Sequence, residues 1–326
     1  ESLLGSGMTW PVSHDSSLLR IFDDENPFQP SGLTAAVRNK QVRVRVAHSP
    51  DPDDAFMFFA LTAGLVETSG REYEHVLADI DTLNQDSLVG TYEVSAVSIH
   101  SYPQISDDYY LMNCGASMGE GYGPILISNV PLTLQQAKQK IIAVPGVSTS
   151  AYLTLRLALG EVEVHEVPFD QILPRVVSGE FDAGVIIHEG QLTWQTEGAN
   201  LVIDLGVWWK EATGLPLPLG GNVVRKDLGG VVCRQIAKDV SRSIKHALEN
   251  PKMALEFSRQ WGRGIDGDTN EEFVRMYVNE RTVDYGKDGR AAVRLFLKMG
   301  QEIGLVRGDF DVEDMVFLGE KIDDGY

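Results

Sequence analysis

Cysteine is close to absent from this chain: Cys114 and Cys233 are the two in 326 residues. They lie far apart with no paired spacing, which excludes a disulfide framework and a cysteine-rich zinc site. Long apolar runs are missing as well, so no stretch is continuously hydrophobic for long enough to span a bilayer. Positive charge is scarce, with 28 Lys and Arg against 47 Asp and Glu and a formal charge of -19. A surface of that sign repels phosphate backbones and anionic lipid, so neither nucleic acid nor membrane is an expected partner. It does not steer an anionic ligand inward either, and such a ligand must be caught by local donors.

What is present is ordinary for a globular protein, 43% apolar and 23% charged residues, at a length that suits about two domains. Residues 1–41 differ from the rest. They mix Gly, Ser, Pro and acids without a sustained period, and are expected to form an extension, partly disordered or packed on the surface. They contain no apolar core of a secretory signal, so the expected location is cytoplasmic.

Val42, Val44 and Val46 alternate with Arg43 and Arg45, the signal of a strand. It runs into His48-Ser49-Pro50-Asp51-Pro52-Asp53-Asp54 and then an apolar run over residues 55–65. Prolines and acids ahead of such a run make a helix start, where aspartate caps free amides and acids favour the first turn. Capping is the first role expected of these acids, and lining of a ligand crevice by Ser49, Asp53 and Asp54 the second. Three close aspartates also suit a hard cation. No further acid cluster of suitable spacing joins them, and no metal ligand is assigned.

Residues 181–187 are almost wholly apolar, as in a buried strand, and His188 follows directly. The carboxyl ends of strands in open α/β sheets face the ligand crevice, so a titratable imidazole is carried to the place where ligands sit. The competing role is a histidine that caps a strand end. The preceding order of glycine, any residue, aromatic and acid (Gly179 to Asp182) is echoed by Gly90-Thr91-Tyr92-Glu93, which leads through another apolar strand to Ser98 and His100. The echo suggests two lobes of similar build, with Ser98 and His100 from one and His188 from the other facing a shared cleft.

The glycine-rich loop over residues 115–123 has neither the dinucleotide fingerprint nor the Gly-Lys-Ser/Thr of a P-loop. Close backbone approach or a crossing between lobes accounts for its glycines better. A strand at residues 141–144 ends in Pro145-Gly146, and Val147-Ser148-Thr149-Ser150 opens a helix. Ser148, Thr149 and Ser150 are candidate donors there, since a helix N-terminus suits a carboxylate; a plain Ser/Thr cap is the alternative. Pro216 and Pro218, set between glycines, mark an extended second crossing. Trp208 and Trp209 are assigned to no site. Residues 231–250, 251–261, 269–278 and 288–303 carry amphipathic helical spacing. The expected architecture is α/β, a two-lobed fold like the type II periplasmic binding proteins. Lobe one comprises residues 42–127 and 222–326, and lobe two residues 128–221.

Four segments narrow this further: Ser49-Pro50-Asp51-Pro52-Asp53-Asp54-Ala55-Phe56; Gly119-Glu120-Gly121-Tyr122-Gly123-Pro124; Val185-Ile186-Ile187-His188-Glu189; and Asp204-Leu205-Gly206-Val207-Trp208-Trp209 with Thr213-Gly214-Leu215-Pro216-Leu217-Pro218-Leu219-Gly220. Together they closely resemble the 1,4-dihydroxy-6-naphthoate synthases of the futalosine route to menaquinone, over residues 42–306. The resemblance implies a lyase that needs no cofactor and cleaves a carbon–carbon bond of cyclic dehypoxanthine futalosine, a small-molecule carboxylate. It implies His188 as the general base that removes the acidic proton beside the substrate carbonyl. A neutral imidazole titrates in the right range for that work. The family turn usually reads Ser-Pro-Cys-Pro-Asn-Asp-Thr-Phe; here Asp51, Asp53 and Ala55 replace Cys, Asn and Thr, which points toward a variant ligand. A non-catalytic solute-binding protein of the same fold and a sister chorismate dehydratase are the other readings, and His188 at its strand end favours the synthase over both.

Overall fold

A computed structural model describes residues 8–9, 42–261 and 267–319 of the chain. Its strands are β1 (Met8–Thr9), β2 (Val42–His48), β3 (Arg71–Leu77), β4 (Val94–Ser98), β5 (Tyr109–Met112), β6 (Ser117–Gly119), β7 (Ile125–Ser128), β8 (Ile142–Val144), β9 (Val164–Glu166), β10 (Ala183–Ile186), β11 (Asn200–Asp204), β12 (Leu217–Arg225) and β13 (Phe317–Leu318). The alternation in β2 has its physical counterpart. Val44 and Val46 are fully buried, whereas Arg45 leaves the sheet and binds Glu93 at 2.8 Å.

One sheet runs β3-β2-β4-β12-β5, with β1 beyond β3, β13 beyond β5 and β6 paired to β12. The other runs β9-β8-β10-β7-β11. The two orders correspond strand for strand. Each has a parallel trio, then an antiparallel strand (β12 or β7), then a last strand antiparallel to that one. In both sheets the antiparallel strand is the one the chain enters directly from a crossing. β4 and β10 hold equivalent places, so the echoed segments before Ser98 and His188 are structural counterparts.

The division expected at residues 127/128 and 221/222 cuts through two strands. β7 pairs with β10 and β11 of the second sheet, and β12 with β4, β5 and β6 of the first. The crossings therefore lie earlier, at residues 120–124 and 214–216, because ladder pairing and not glycine or proline content decides which lobe a strand joins. Of the N-terminal extension, Met8 and Thr9 pair with Leu77 and Val76 at the edge of β3; the remainder lies outside the described residues.

The helix Pro52–Thr62 is buried all round from Pro52 to Leu61. Such a helix must be covered on every side, and the C-terminal helices do this. Helix Gly230–Glu249 buries Cys233, Ile236, Ala237, Val240, Ile244 and Ala247 at helical spacing, in one apolar cluster with Phe56, Phe59 and Ala60. Ser243 Oγ donates to Met57 O at 2.7 Å, tying the two helices together. Trp209 is core: it is fully buried, donates from Nε1 to Pro216 O at 2.9 Å and meets Phe296 edge-on. Among the described residues no helix is long and apolar enough to cross a membrane.

Candidate functional site

β10 ends at Ile186, and two residues later His188 takes a left-handed backbone conformation with φ 57°, uncommon for any residue with a Cβ. Its imidazole lines a cavity between the two lobes. His188 Nδ1 stands 2.9 Å from Asp51 Oδ2, and the Phe169 ring packs edge to face on the imidazole at 4.6 Å. Asp51 follows β2 in lobe one; His188 and Phe169 belong to lobe two. A proton held on Nδ1 toward that carboxylate would leave the lone pair of the neutral ring on Nε2.

Lobe one brings Ser49, Asp53, Asp54 and Ser98 to the same cavity. Asp51 occupies the N-cap position of helix Pro52–Thr62, yet its side chain makes no capping hydrogen bond. The capping expected of it is not realised because the carboxylate reaches across the cleft instead. Asp54 turns back to the strand end, where its Oδ2 accepts from Ser49 N at 2.8 Å and Ser49 Oγ at 2.7 Å. Burial, with Asp54 and Asp51 alongside, pushes Asp53 well above the usual carboxylate range. Burial raises Asp54 too, opposed by His48 and by the Ser49 hydrogen bonds.

Lobe two presents the start of helix Ser150–Leu159. Thr149 is its cap: Oγ1 accepts from Tyr152 N at 3.2 Å and donates to Gly146 O at 2.7 Å. Ser150 Oγ donates to Leu219 O at 2.6 Å and accepts from His100 N. Both hydroxyls are thus occupied, although both residues line the cavity. Among the described residues, no backbone carbonyl takes the amides of Ser150 and Ala151. Two such amides at a helix N-terminus suit an anion.

Two sequence candidates lie elsewhere. Ser148 does not line this cavity; it sits on the outer side of the turn, donating to Asp81 Oδ1 at 2.6 Å and accepting from Asn84 Nδ2 at 2.9 Å. Those partners belong to helix Ile80–Leu88 of lobe one, so Ser148 bridges the lobes. His100 is also turned away. The chain leaves β4 in a tight 3-10 turn, and the His100 ring nitrogens lie 3.2 Å and 3.1 Å from Thr149 O and Leu305 O.

The cavity also has walls that sequence patterns did not disclose. Asn222, on β12 and 1% exposed, donates from Nδ2 to Gly115 O at 3.0 Å, and its Oδ1 has no hydrogen-bond partner. A Cβ on Gly115, whose φ is 77°, would lie 2.1 Å from that amide, so only glycine fits beneath it. A lone amide in an apolar strand was the available signal. Tyr277, from helix Gly267–Tyr277, donates to Gln191 Oε1 at 2.7 Å across the cleft, and Phe273 lines the cavity beside it. Their spacing reads as core, and only the packing brings them over the cavity. Among the described residues no group of His, Cys, Asp and Glu side chains is disposed to hold a metal ion.

A family model described as menaquinone biosynthesis matches residues 44–302. A protein of Thermus thermophilus named 1,4-dihydroxy-6-naphthoate synthase is 41% identical over 255 residues, covering 78% of this chain and 92% of that protein. A solved structure of a protein from Archaeoglobus fulgidus is 42% identical with a TM-score of 0.78, covering 82% of this chain and all of that one (100%). The alkanesulfonate-binding protein of Xanthomonas axonopodis, 13% identical with a TM-score of 0.61, covers 82% of this chain and 94% of its own and shares the fold. The two-lobed architecture is that of the periplasmic binding proteins, and the chain belongs to the menaquinone biosynthesis family that includes the 1,4-dihydroxy-6-naphthoate synthases.

Proposed function

We propose that the protein cleaves cyclic dehypoxanthine futalosine to 1,4-dihydroxy-6-naphthoate, with His188 as the general base. One observation carries this: the His188 imidazole lines the interlobe cavity with Nδ1 2.9 Å from Asp51 Oδ2. A proton held on Nδ1 leaves the basic lone pair on Nε2. Nε2 takes the proton from the carbon beside the substrate carbonyl, and the electron pair left behind forms an enolate. The enolate re-forms the carbonyl as a carbon–carbon bond breaks and the ring opens. The departing fragment takes that bond's electron pair and the proton held on His188, and aromatisation of the remaining fragment makes the step downhill. The T. thermophilus relative named as the synthase supports the reaction class.

The polar walls fit such a guest. The amides of Ser150 and Ala151, set by the Thr149 cap, receive the substrate carboxylate. Asn222 Oδ1 is a buried acceptor for a substrate hydroxyl. Asp53, whose ionisation is opposed by burial, faces the same cavity. Ser49, Asp54 and Ser98 complete the polar lining. Closure of the lobes keeps water from the enolate.

The test is incubation of purified wild-type and His188→Ala protein with cyclic dehypoxanthine futalosine, following the aromatic product. Loss of a general base is expected to lower kcat by about 10²–10⁴-fold. Wild-type turnover by His188→Ala ends the base assignment. Tight binding without turnover by the wild type would make this a binding protein, and turnover of chorismate a dehydratase.

A further inference from the structure

Asp51 breaks a local rule. It stands where an aspartate would cap the helix Pro52–Thr62, with the extended backbone of a cap (φ -115°, ψ 154°), but its side chain makes no capping bond. An unmade cap forgoes about 1 kcal/mol. The side chain is 1% exposed, so the carboxylate is also withdrawn from water. Both costs are accepted at one place, where Oδ2 lies 2.9 Å from His188 Nδ1. His188 in turn holds a left-handed backbone, φ 57°, a conformation that persists only when its surroundings enforce it. Violations of local preference that converge on one contact mark a functional arrangement.

The contact also crosses the cleft. Asp51 is attached to β2 of the first sheet and His188 to β10 of the second. Other bonds bridge the same gap: Ser150 to Leu219 O, Tyr277 to Gln191, and Ser148 to Asp81 and Asn84. The lobes are therefore closed on one another in this structure, and opening them separates the carboxylate from the ring.

We propose that Asp51 is a positioning residue for His188 and that the pair is assembled by closure of the lobes. The proposal rests on His188 being the base. Asp51 accepts the Nδ1 proton, fixes the tautomer with its lone pair on Nε2, and sets the plane of the ring, which Phe169 holds from one side. When Nε2 takes the substrate proton, the ring becomes an imidazolium whose charge lies beside the carboxylate; Asp51 remains ionised and takes no proton, as in other carboxylate–histidine pairs. In the open cleft the ring loses this partner. Proton abstraction is thereby confined to the closed, water-excluded state, in which the enolate survives.

Asp51→Asn keeps the shape and removes the charge; Asp51→Ser supplies a good cap and removes the carboxylate. Both variants are measured for kcat and KM with cyclic dehypoxanthine futalosine, for Tm, and for the His188 tautomer by ¹⁵N NMR, with His188→Ala assigning the signal. The expected result is a fall in kcat of about 10²–10⁴-fold, KM within a few-fold, and an unchanged or raised Tm for Asp51→Ser. The His188 ring passes from the Nδ1–H form to a tautomer mixture. The double variant Asp51→Asn/His188→Ala is expected to be no slower than His188→Ala alone. Wild-type kcat in Asp51→Asn beside a dead His188→Ala overturns the positioning role and leaves the base standing. A lowered Tm with losses that multiply in the double variant makes Asp51 structural and also overturns it. Full turnover by His188→Ala removes the base reading itself.

Discussion

Replacing Ser148 by alanine asks whether this residue holds the lobes together or touches a ligand. Its hydroxyl donates to Asp81 Oδ1 at 2.6 Å and accepts from Asn84 Nδ2 at 2.9 Å, whereas its carbonyl accepts separately from Ser101 Oγ at 2.8 Å. Alanine removes the first two contacts and spares the third. A hydrogen bond to a charged group contributes about 1.5–3 kcal/mol and a neutral one about 1 kcal/mol. Asp81 is partly exposed, so solvent screening brings the sum down to about 1–2 kcal/mol. The assay is equilibrium urea unfolding of wild type, Ser148→Ala, Asp81→Ala and the double variant. If Ser148 acts through Asp81, the loss in Ser148→Ala shrinks in the Asp81→Ala background, with a coupling energy of about 1 kcal/mol. Small-angle scattering of the ligand-free Ser148→Ala protein is expected to show a more open particle. Strict additivity, within about 0.3–0.5 kcal/mol, together with unchanged scattering, refutes the bridging role of Ser148.

Two further outcomes concern pH. Asp53 ionises later in the folded chain than in the unfolded one, because burial and the neighbouring Asp54 and Asp51 oppose its charge. Above the ordinary carboxylate value of about 4, the folded state therefore holds the extra proton, and this group lowers stability as pH rises through that window. Asp53→Asn is expected to keep the fold and raise Tm at pH 7 by about 2–4 °C, with a flatter Tm–pH curve above pH 4; a large fall in Tm would show the carboxylate to be structural. His75 behaves oppositely: burial, then His48, lowers it from 6.5 to about 3, and burial lowers His48 as well. Their unfolded forms bind protons that the folded forms refuse, so the contribution of these two rings to stability is full above about pH 6.5 and falls as pH drops toward 3. Native-state NMR is expected to show both rings still neutral at pH 5, and titration of either ring near 6.5 would contradict this.

Much of the architecture was legible along the chain. The period of two in Val42, Val44 and Val46, the apolar run before His188 and the spacing in residues 231–250 reappear as β2, β10 and helix Gly230–Glu249. Such patterns are readable because burial on one face imposes its period on neighbouring residues. The crossings were less legible, since Pro218 and Gly220 read as a connector but pair within β12.

The site divides in the same way. Gly-x-aromatic-acid before an apolar strand occurs twice, and local sequence alone determined that two equivalent strands would end in polar residues. Only tertiary structure decided that His188 enters the cavity while His100 is held between Thr149 O and Leu305 O. Likewise, Ser148, Thr149 and Ser150 are a helix start in any context, but whether each faces the cavity, the cap or the other lobe depends on residues far along the chain. Asp51 shows the limit most plainly: in sequence it is a helix cap, and in space it is the partner of an imidazole 137 residues later. Short-range periodicity is set by neighbours, whereas a pairing between lobes is set by how two sheets pack, and no local pattern encodes that distance.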